Sequence, residues 1–177
     1  MKITNEEAEY LLKLPKKVLE NDTLLDSLTI DQKFPFNARF ELVSEKDDEF
    51  TFLLEIQQSK KNRIRLSFHC QENDSKIGLL RVDYNSGHVN PEVLSEHVPE
   101  KFHPYVGKKF SPEEHHIHYY VQGYKSLAWA IPLSVDQFEI KELNDDVNFN
   151  RTFADILKLF ARTVNIETKI LVNELLL

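Results

Sequence analysis

Phe36-Asn37-Ala38-Arg39-Phe40-Glu41-Leu42 is followed, after an acidic turn at Asp47-Asp48, by Phe50-Thr51-Phe52-Leu53-Leu54-Glu55-Ile56. In the first run Phe36, Ala38, Phe40 and Leu42 alternate with Asn37, Arg39 and Glu41. Phe50, Phe52, Leu54 and Ile56 resume the pattern beyond the turn. After the polar turn Lys60-Lys61-Asn62, Ile64, Leu66 and Phe68 alternate with Arg63, Arg65, Ser67 and His69. Successive strand side chains point to opposite faces, so only an extended backbone gathers each set on one side. Three such runs joined by short turns predict a half-buried antiparallel meander. Its expected inward set is Phe40, Leu42, Phe52, Leu54, Leu66 and Phe68, with no helix anywhere within residues 49–70. Cys70 continues the inward series and is expected to be a buried, unreactive thiol.

Outward from this core, Asn73-Asp74-Ser75 makes a further turn leading to a strand at Ile77–Tyr84. Residues 85–114 are punctuated by Ser86-Gly87, Asn90-Pro91, Val98-Pro99, His103-Pro104 and Ser111-Pro112, which predicts a long irregular segment. His115–Val121 and Leu127–Leu133 read as strands. Thr4 or Asn5 can cap a short helix through Leu12, which Pro15 interrupts. Asn150 or Thr152 can start a helix through about Arg162, with Phe153, Ile156, Leu157 and Phe160 at helical spacing. The tail, Ile166–Leu177, is apolar enough to dock as a strand or a short helix. The fold class is α+β: one domain over residues 1–177, an antiparallel meander sheet of about five to seven strands with a C-terminal helix packed on one face.

Composition bounds the function. The 177 residues carry a net charge of −7, with a mean hydropathy of −0.42. Residues 1–59 hold 7 basic and 13 acidic side chains, residues 60–125 hold 10 and 8, and residues 126–177 hold 5 and 8. The centre is thus the one part with a positive balance, and a local basic face can hold phosphate on an acidic chain. No stretch approaches a membrane helix in length, and no signal-peptide core opens the sequence. Cys70 is the only cysteine, which excludes an intrachain disulfide and a cysteine-based zinc site within one chain. A cytoplasmic location is the expectation.

All seven histidines fall between His69 and His118, three of them in Glu114-His115-His116-Ile117-His118-Tyr119-Tyr120. On a strand, His116, His118 and Tyr120 share a face while Ile117, Tyr119 and Val121 line the other. The polar face would also hold Arg63, Arg65 and His69. Two imidazoles with guanidiniums offer metal-free phosphodiester cleavage: one removes a proton from a 2′-hydroxyl, one protonates the leaving oxygen, and arginine stabilises the phosphate. The expected catalytic set is His116, His118, His88, Arg81, Asp83 and Tyr120, with no cofactor and no metal. A metal reading uses the same strand, with His88, His103, Asp83 or Glu114 as third ligand beside His116 and His118. The plainer alternative is a polar sheet face that only solvates the domain. Gly107-Lys108-Lys109 lacks the rest of a phosphate loop, Asp145-Asp146 lacks a calcium-loop pattern, and Trp129 reads as core.

Four motifs carry a resemblance: Arg81-x-Asp83, His88-x-Asn90-Pro91, His116-x-His118-x-Tyr120-x-x-Gly123 and Trp129-Ala130-Ile131-Pro132-Leu133. Over about Ile77 to Leu133 the chain resembles an uncharacterised family of short bacterial and phage proteins. In that family the Asn-Pro pair is followed by Asp-Gly and soon by the His-x-His strand. Here Glu92-Val93 follow, and 24 residues separate Pro91 from His116. The resemblance implies no known reaction, and points to mobile-element or defence functions. The expectations are therefore a toxin-type, metal-independent endoribonuclease acting on RNA, or a non-catalytic, antitoxin-like or phage-derived inhibitor that binds a protein partner through an acidic surface.

Overall fold

Thr4 caps the first helix, α1 (Asn5–Lys13): its hydroxyl accepts the Glu7 N–H while the Glu7 carboxylate accepts the Thr4 N–H. This reciprocal pairing satisfies two donors that a helix start leaves free. In the computed structural model, which describes residues 3–174, the strands β1 (Lys17–Glu20), β2 (Thr23–Leu25), β3 (Ser27–Gln32), β4 (Asn37–Val43), β5 (Thr51–Gln58), β6 (Leu66–Glu72) and β7 (Ile77–Tyr84) follow. Two-residue strands β8 (His88–Val89) and β9 (Lys109–Phe110) flank a 3-10 turn at Glu100–Tyr105. Then come β10 (His116–Tyr119), β11 (Trp129–Pro132), α2 (Phe149–Thr163) and β12 (Lys169–Glu174).

The main sheet has eight strands in the order β11-β10-β7-β6-β5-β4-β1-β2, every pair antiparallel. Two further pairs lie outside it, β8 with β9 and β12 with β3, the latter parallel. The meander and α+β class are as the periodicity predicts, and no helix falls within residues 49–70. The strand number of this sheet exceeds the expected five to seven because residues 17–25 add two strands, β1 and β2. These are short, and β1 turns into β2 through Asn21-Asp22, both left-handed at φ 49° and 59°. Such a two-residue loop suits the twist of a hairpin but leaves too few alternations to read.

One sheet face makes the core. Leu42, Phe52, Leu54, Leu66, Phe68 and Cys70 are buried there, and Phe40 is half-buried against them. Helix α2 covers this face, its Phe153 ring 5.1 Å from Phe36 and 5.9 Å from Phe68, and its Phe160 ring 5.7 Å from Phe68. At the β10–β11 end the Phe102 ring, from the 3-10 turn, lies 5.9 Å from buried Trp129. Arg63 belongs to this side: its guanidinium stacks 4.1 Å over the Phe149 ring and donates to Asn150. The polar-face position expected for it is therefore corrected, since Arg63 precedes β6 and escapes its alternation.

The C-terminal ends of the two helices meet at Lys16, which is fully buried. Its ammonium donates to the carbonyls of Leu12 (3.0 Å), Leu14 (2.8 Å) and Val164 (3.0 Å). Leu14 and Val164 are the C-caps of α1 and α2, so one cation serves the negative ends of two helices. Burial lowers the Lys16 pKa to about 8. Three acceptors call for all three ammonium protons, which favours the charged form.

Candidate metal centre

On the face away from α2 the register builds two polar rows. Arg39, Glu55, His69, Arg81 and His118 lie side by side across β4, β5, β6, β7 and β10; Asn37, Gln57, Ser67, Asp83 and His116 form the next row. Asp83 thus sits opposite His116 and diagonal to His118, at the spacing of cross-strand neighbours. The alternation that hides Phe68 and Val82 on one face puts these polar side chains on the other.

This end of the polar face is not open. The β8–β9 ribbon folds over it, with the Phe110 ring 4.7 Å from His116 and the His88 ring 4.5 Å from His118. His116 and His118 are fully buried and the Asp83 side chain is 5 % exposed, whereas Arg81 is 34 % exposed. Asn90 fastens the ribbon. Its amide oxygen accepts the Ala130 N–H (2.9 Å), and its amide nitrogen donates to the carbonyls of Ala130 (2.8 Å) and Tyr105 (2.9 Å). That side chain pairs the outer edge of β11 as a neighbouring strand would. A strand pattern reports which way a side chain points but not what lies above it, and this is why solvent-facing imidazoles were the expectation.

The imidazoles converge on one carboxylate oxygen. Asp83 Oδ2 lies 3.1 Å from His118 Nε2 and 3.6 Å from His116 Nε2. The same oxygen accepts from Arg81 Nε (2.9 Å) and lies 2.8 Å from Nη2 in an ion pair, and Nη2 lies 3.1 Å from His118 Nε2. The Asp83 carboxyl is held well below the usual range despite its burial, with the Arg81 guanidinium on the same oxygen. Burial, aided by Arg81, lowers His118 to about 4 against the pull of Asp83.

The other ring nitrogen of each histidine fixes its tautomer. His118 Nδ1 is 2.9 Å from the Leu127 carbonyl and His116 Nδ1 is 2.8 Å from the Glu114 carbonyl. A carbonyl only accepts, so both Nδ1 atoms carry the proton. A neutral imidazole then presents a bare lone pair at Nε2. The His118 lone pair meets Arg81 Nη2 beside the Asp83 oxygen, whereas His116 Nε2 is buried with no hydrogen-bond partner. Arg81 supplies a cation to Asp83 and His118 but leaves the His116 lone pair unmatched, a position that a metal ion would fill. Asp83, His116 and His118 offer ligand atoms all within 4.8 Å of one another. A tetrahedral ion with bonds of about 2.0–2.1 Å sets its ligand atoms about 3.3 Å apart, close to the two distances from Asp83 Oδ2 to the histidines.

Of the six residues singled out in the sequence, Asp83, His116, His118 and Arg81 form this centre and His88 packs on it. His88 donates no ligand atom to the set; its Nε2 lies 3.0 Å from the Ala128 carbonyl. Tyr120 stands apart: beyond the end of β10 its hydroxyl donates to the Ile3 carbonyl, beside α1. His103 is also elsewhere, with Nε2 3.0 Å from the Val98 carbonyl, and the Glu114 carboxylate is turned to Lys108 (2.8 Å). Leu127 was not foreseen. It holds a left-handed backbone, φ 56°, which aims its carbonyl at His118, and no sequence signal marks a leucine for that conformation. Gly78 makes room for it: a Cβ there would stand 2.6 Å from Leu127 Cδ1 and 2.9 Å from His69 Nε2.

The chain belongs to the family of unknown function DUF6978, whose model matches residues 3–166. No curated protein and no solved structure matches it. No helix among the described residues is long and apolar enough to cross a membrane.

Proposed function

We propose that this member of the DUF6978 family is a metal-dependent hydrolase, with one divalent first-row transition ion held by Asp83, His116 and His118. The observation that carries the reading is the fixed tautomer pair: both Nδ1 protons go to backbone carbonyls, leaving two Nε2 lone pairs aimed at one carboxylate oxygen. Metal-ligating histidines usually donate their second nitrogen to just such a partner. Two imidazoles and a carboxylate suit zinc, iron, manganese or cobalt. Three protein ligands leave a position for water or substrate, whereas structural zinc sites use four. That vacancy is what an ion needs to activate water or polarise a phosphoryl oxygen.

The metal-free acid–base scheme fits less well. It needs imidazoles that exchange protons with substrate, and here both rings are buried with their Nδ1 protons engaged. An antitoxin-like binding role draws on the acidic composition alone.

Metal titration tests the reading. Wild-type protein freed of metal is expected to take up one equivalent of Zn2+ or Co2+, the cobalt form showing the visible bands of a low-coordinate centre. At an ion concentration of 100 times Kd the ion should add about 2.7 kcal/mol of stability. His116→Ala and Asp83→Asn should each abolish uptake. If wild-type protein binds none of Zn2+, Co2+, Mn2+, Fe2+ or Ni2+, the proposal is wrong, whatever the variants do.

A further inference from the structure

A groove of about 320 Å³ opens on the polar face next to Asp83, lined among others by Asn37, Gln57, Arg65, Ser67, Arg81 and Ser86. It runs across β4, β5, β6 and β7; strands about 4.8 Å apart make it about 14 Å long. Asp83 is its only acidic lining residue, and that carboxylate is engaged by Arg81 and faces the histidines. Arg39 and Arg81 face Glu55 and Asp83, but the exposed Arg65 has no carboxylate partner among the described residues. The rest of the lining is amide and hydroxyl, with one apolar residue, Leu66, and no aromatic ring.

We propose that this groove binds the phosphodiester backbone of a single-stranded nucleic acid, with Arg65 and Arg81 as its phosphate ligands. Guanidinium forks match phosphate oxygens, and neutral amides and hydroxyls add donors without opposing charge. A trough spanning four strands suits a chain of regularly spaced anions better than one small anion. With no aromatic platform, bases have nothing to stack on, so the groove reads backbone and not sequence. Both arginines come from the part of the chain with a positive balance, and the lining that β4, β5 and the residue after β5 add, Asn37, Gln57, Gln58 and Ser59, is neutral.

Arg81 links groove and centre, and its role rests on the metal reading. Its Nε and Nη2 protons occupy the Asp83 oxygen and approach the His118 lone pair that an ion would take. An ion bound there competes for the same electron pairs and repels the guanidinium. Arg81 is the partly exposed member of the group and lines the groove, so displacement carries it toward a bound phosphate. Metal and nucleic acid therefore strengthen each other's binding, by the same factor in each direction.

Fluorescence anisotropy with labelled single-stranded RNA and DNA oligonucleotides tests this, on metal-free and Zn2+-treated full-length protein, with Zn2+ uptake measured in the same samples. Binding should weaken with salt, with a log–log slope of about −1.4 if two phosphates are neutralised. Arg65→Ala, at an exposed position, should cost about tenfold in affinity and reduce the slope by about 0.7; Arg65→Lys should recover part of the affinity. Zn2+ should tighten binding by wild-type protein but not by Arg81→Ala. Unchanged affinity in Arg65→Ala, or strong preference for one base sequence, overturns the proposal. Zn2+ uptake without oligonucleotide binding defeats the groove and leaves the metal centre standing. Arg65-dependent binding without Zn2+ uptake does the reverse.

Discussion

His118 donates its Nδ1 proton to the carbonyl of Leu127, 2.9 Å away, and Leu127 holds that carbonyl in place with a left-handed backbone at φ 56°. A leucine in that region carries strain of order 1–3 kcal/mol, which the surrounding packing must offset. Leu127 is buried, and Ser126 next to it pairs both backbone groups of Gly78, accepting its N–H at 2.6 Å and donating to its carbonyl at 3.1 Å. The strained residue is thus clamped from the strand beneath it, and the ring it orients cannot turn over without losing its acceptor.

Nitrogen-15 spectra of the imidazoles in metal-free protein near neutral pH should show His116 and His118 protonated at Nδ1 and bare at Nε2. A neutral His118 protonated at Nε2 would remove the basis of the metal reading.

Asn90→Ala should lower stability by about 2–3 kcal/mol, because it strips partners from the Ala130 N–H and from the Ala130 and Tyr105 carbonyls. Asn90→Asp should be no better, since a carboxylate cannot donate to the two carbonyls. Urea unfolding measures both. A loss below about 0.5 kcal/mol in Asn90→Ala would mean the ribbon is held by something else.

Cys70 should resist native labelling by thiol reagents, reacting only as fast as the protein opens. It is fully buried on the core face, and burial pushes its thiol up to about 11, so little thiolate exists at neutral pH. Modification of folded protein within the mixing time contradicts this.

Alkaline pH should destabilise the domain through its buried phenols. Burial pushes Tyr84 up, and burial with the adjacent Asp136 does the same to Tyr119. Their hydroxyls donate to the Ile140 carbonyl (2.7 Å) and to Asp136 (2.7 Å). A phenol whose folded pKa exceeds its unfolded value of about 10 contributes stability that is complete below pH 10 and falls as pH rises beyond it. Urea midpoints should therefore decline steeply above about pH 10. Tyr84→Phe/Tyr119→Phe should be weaker at neutral pH but decline less, and an equal slope in both proteins would refute the assignment.

The sheet was legible because its central strands are long enough for the two-residue period to repeat: Ile77–Tyr84 was bounded as found, and Phe52, Leu54, Leu66 and Phe68 point inward. The pairing of Asp83 with His116 and His118 was half legible. Alternation put His116 and His118 on one face, and the register against β10 is what sets Asp83 opposite them. The cover was not legible. Strands β8 and β9 have two residues each, too short for any period, and they are stitched down by Asn90 and by carbonyls, which leave no trace in side-chain pattern. Tyr120 shows the opposite failure: alternation extended one residue too far past the end of β10.

Lys16 also sets the order in which the chain can finish folding. Its third acceptor belongs to Val164, and the neighbouring backbone is joined to the same region, Lys16 N–H to the Asn165 carbonyl and Glu167 N–H to the Lys16 carbonyl. During synthesis, residues up to about 16 emerge well over a hundred residues before their partners exist. Until then the ammonium lacks that third acceptor, although α1 can already seat against β7 and the Gln122 N–H. The meander can form as it is made, but its apolar face closes only when α2 arrives, so a nascent chain halted before residue 164 exposes the surface that the finished protein hides.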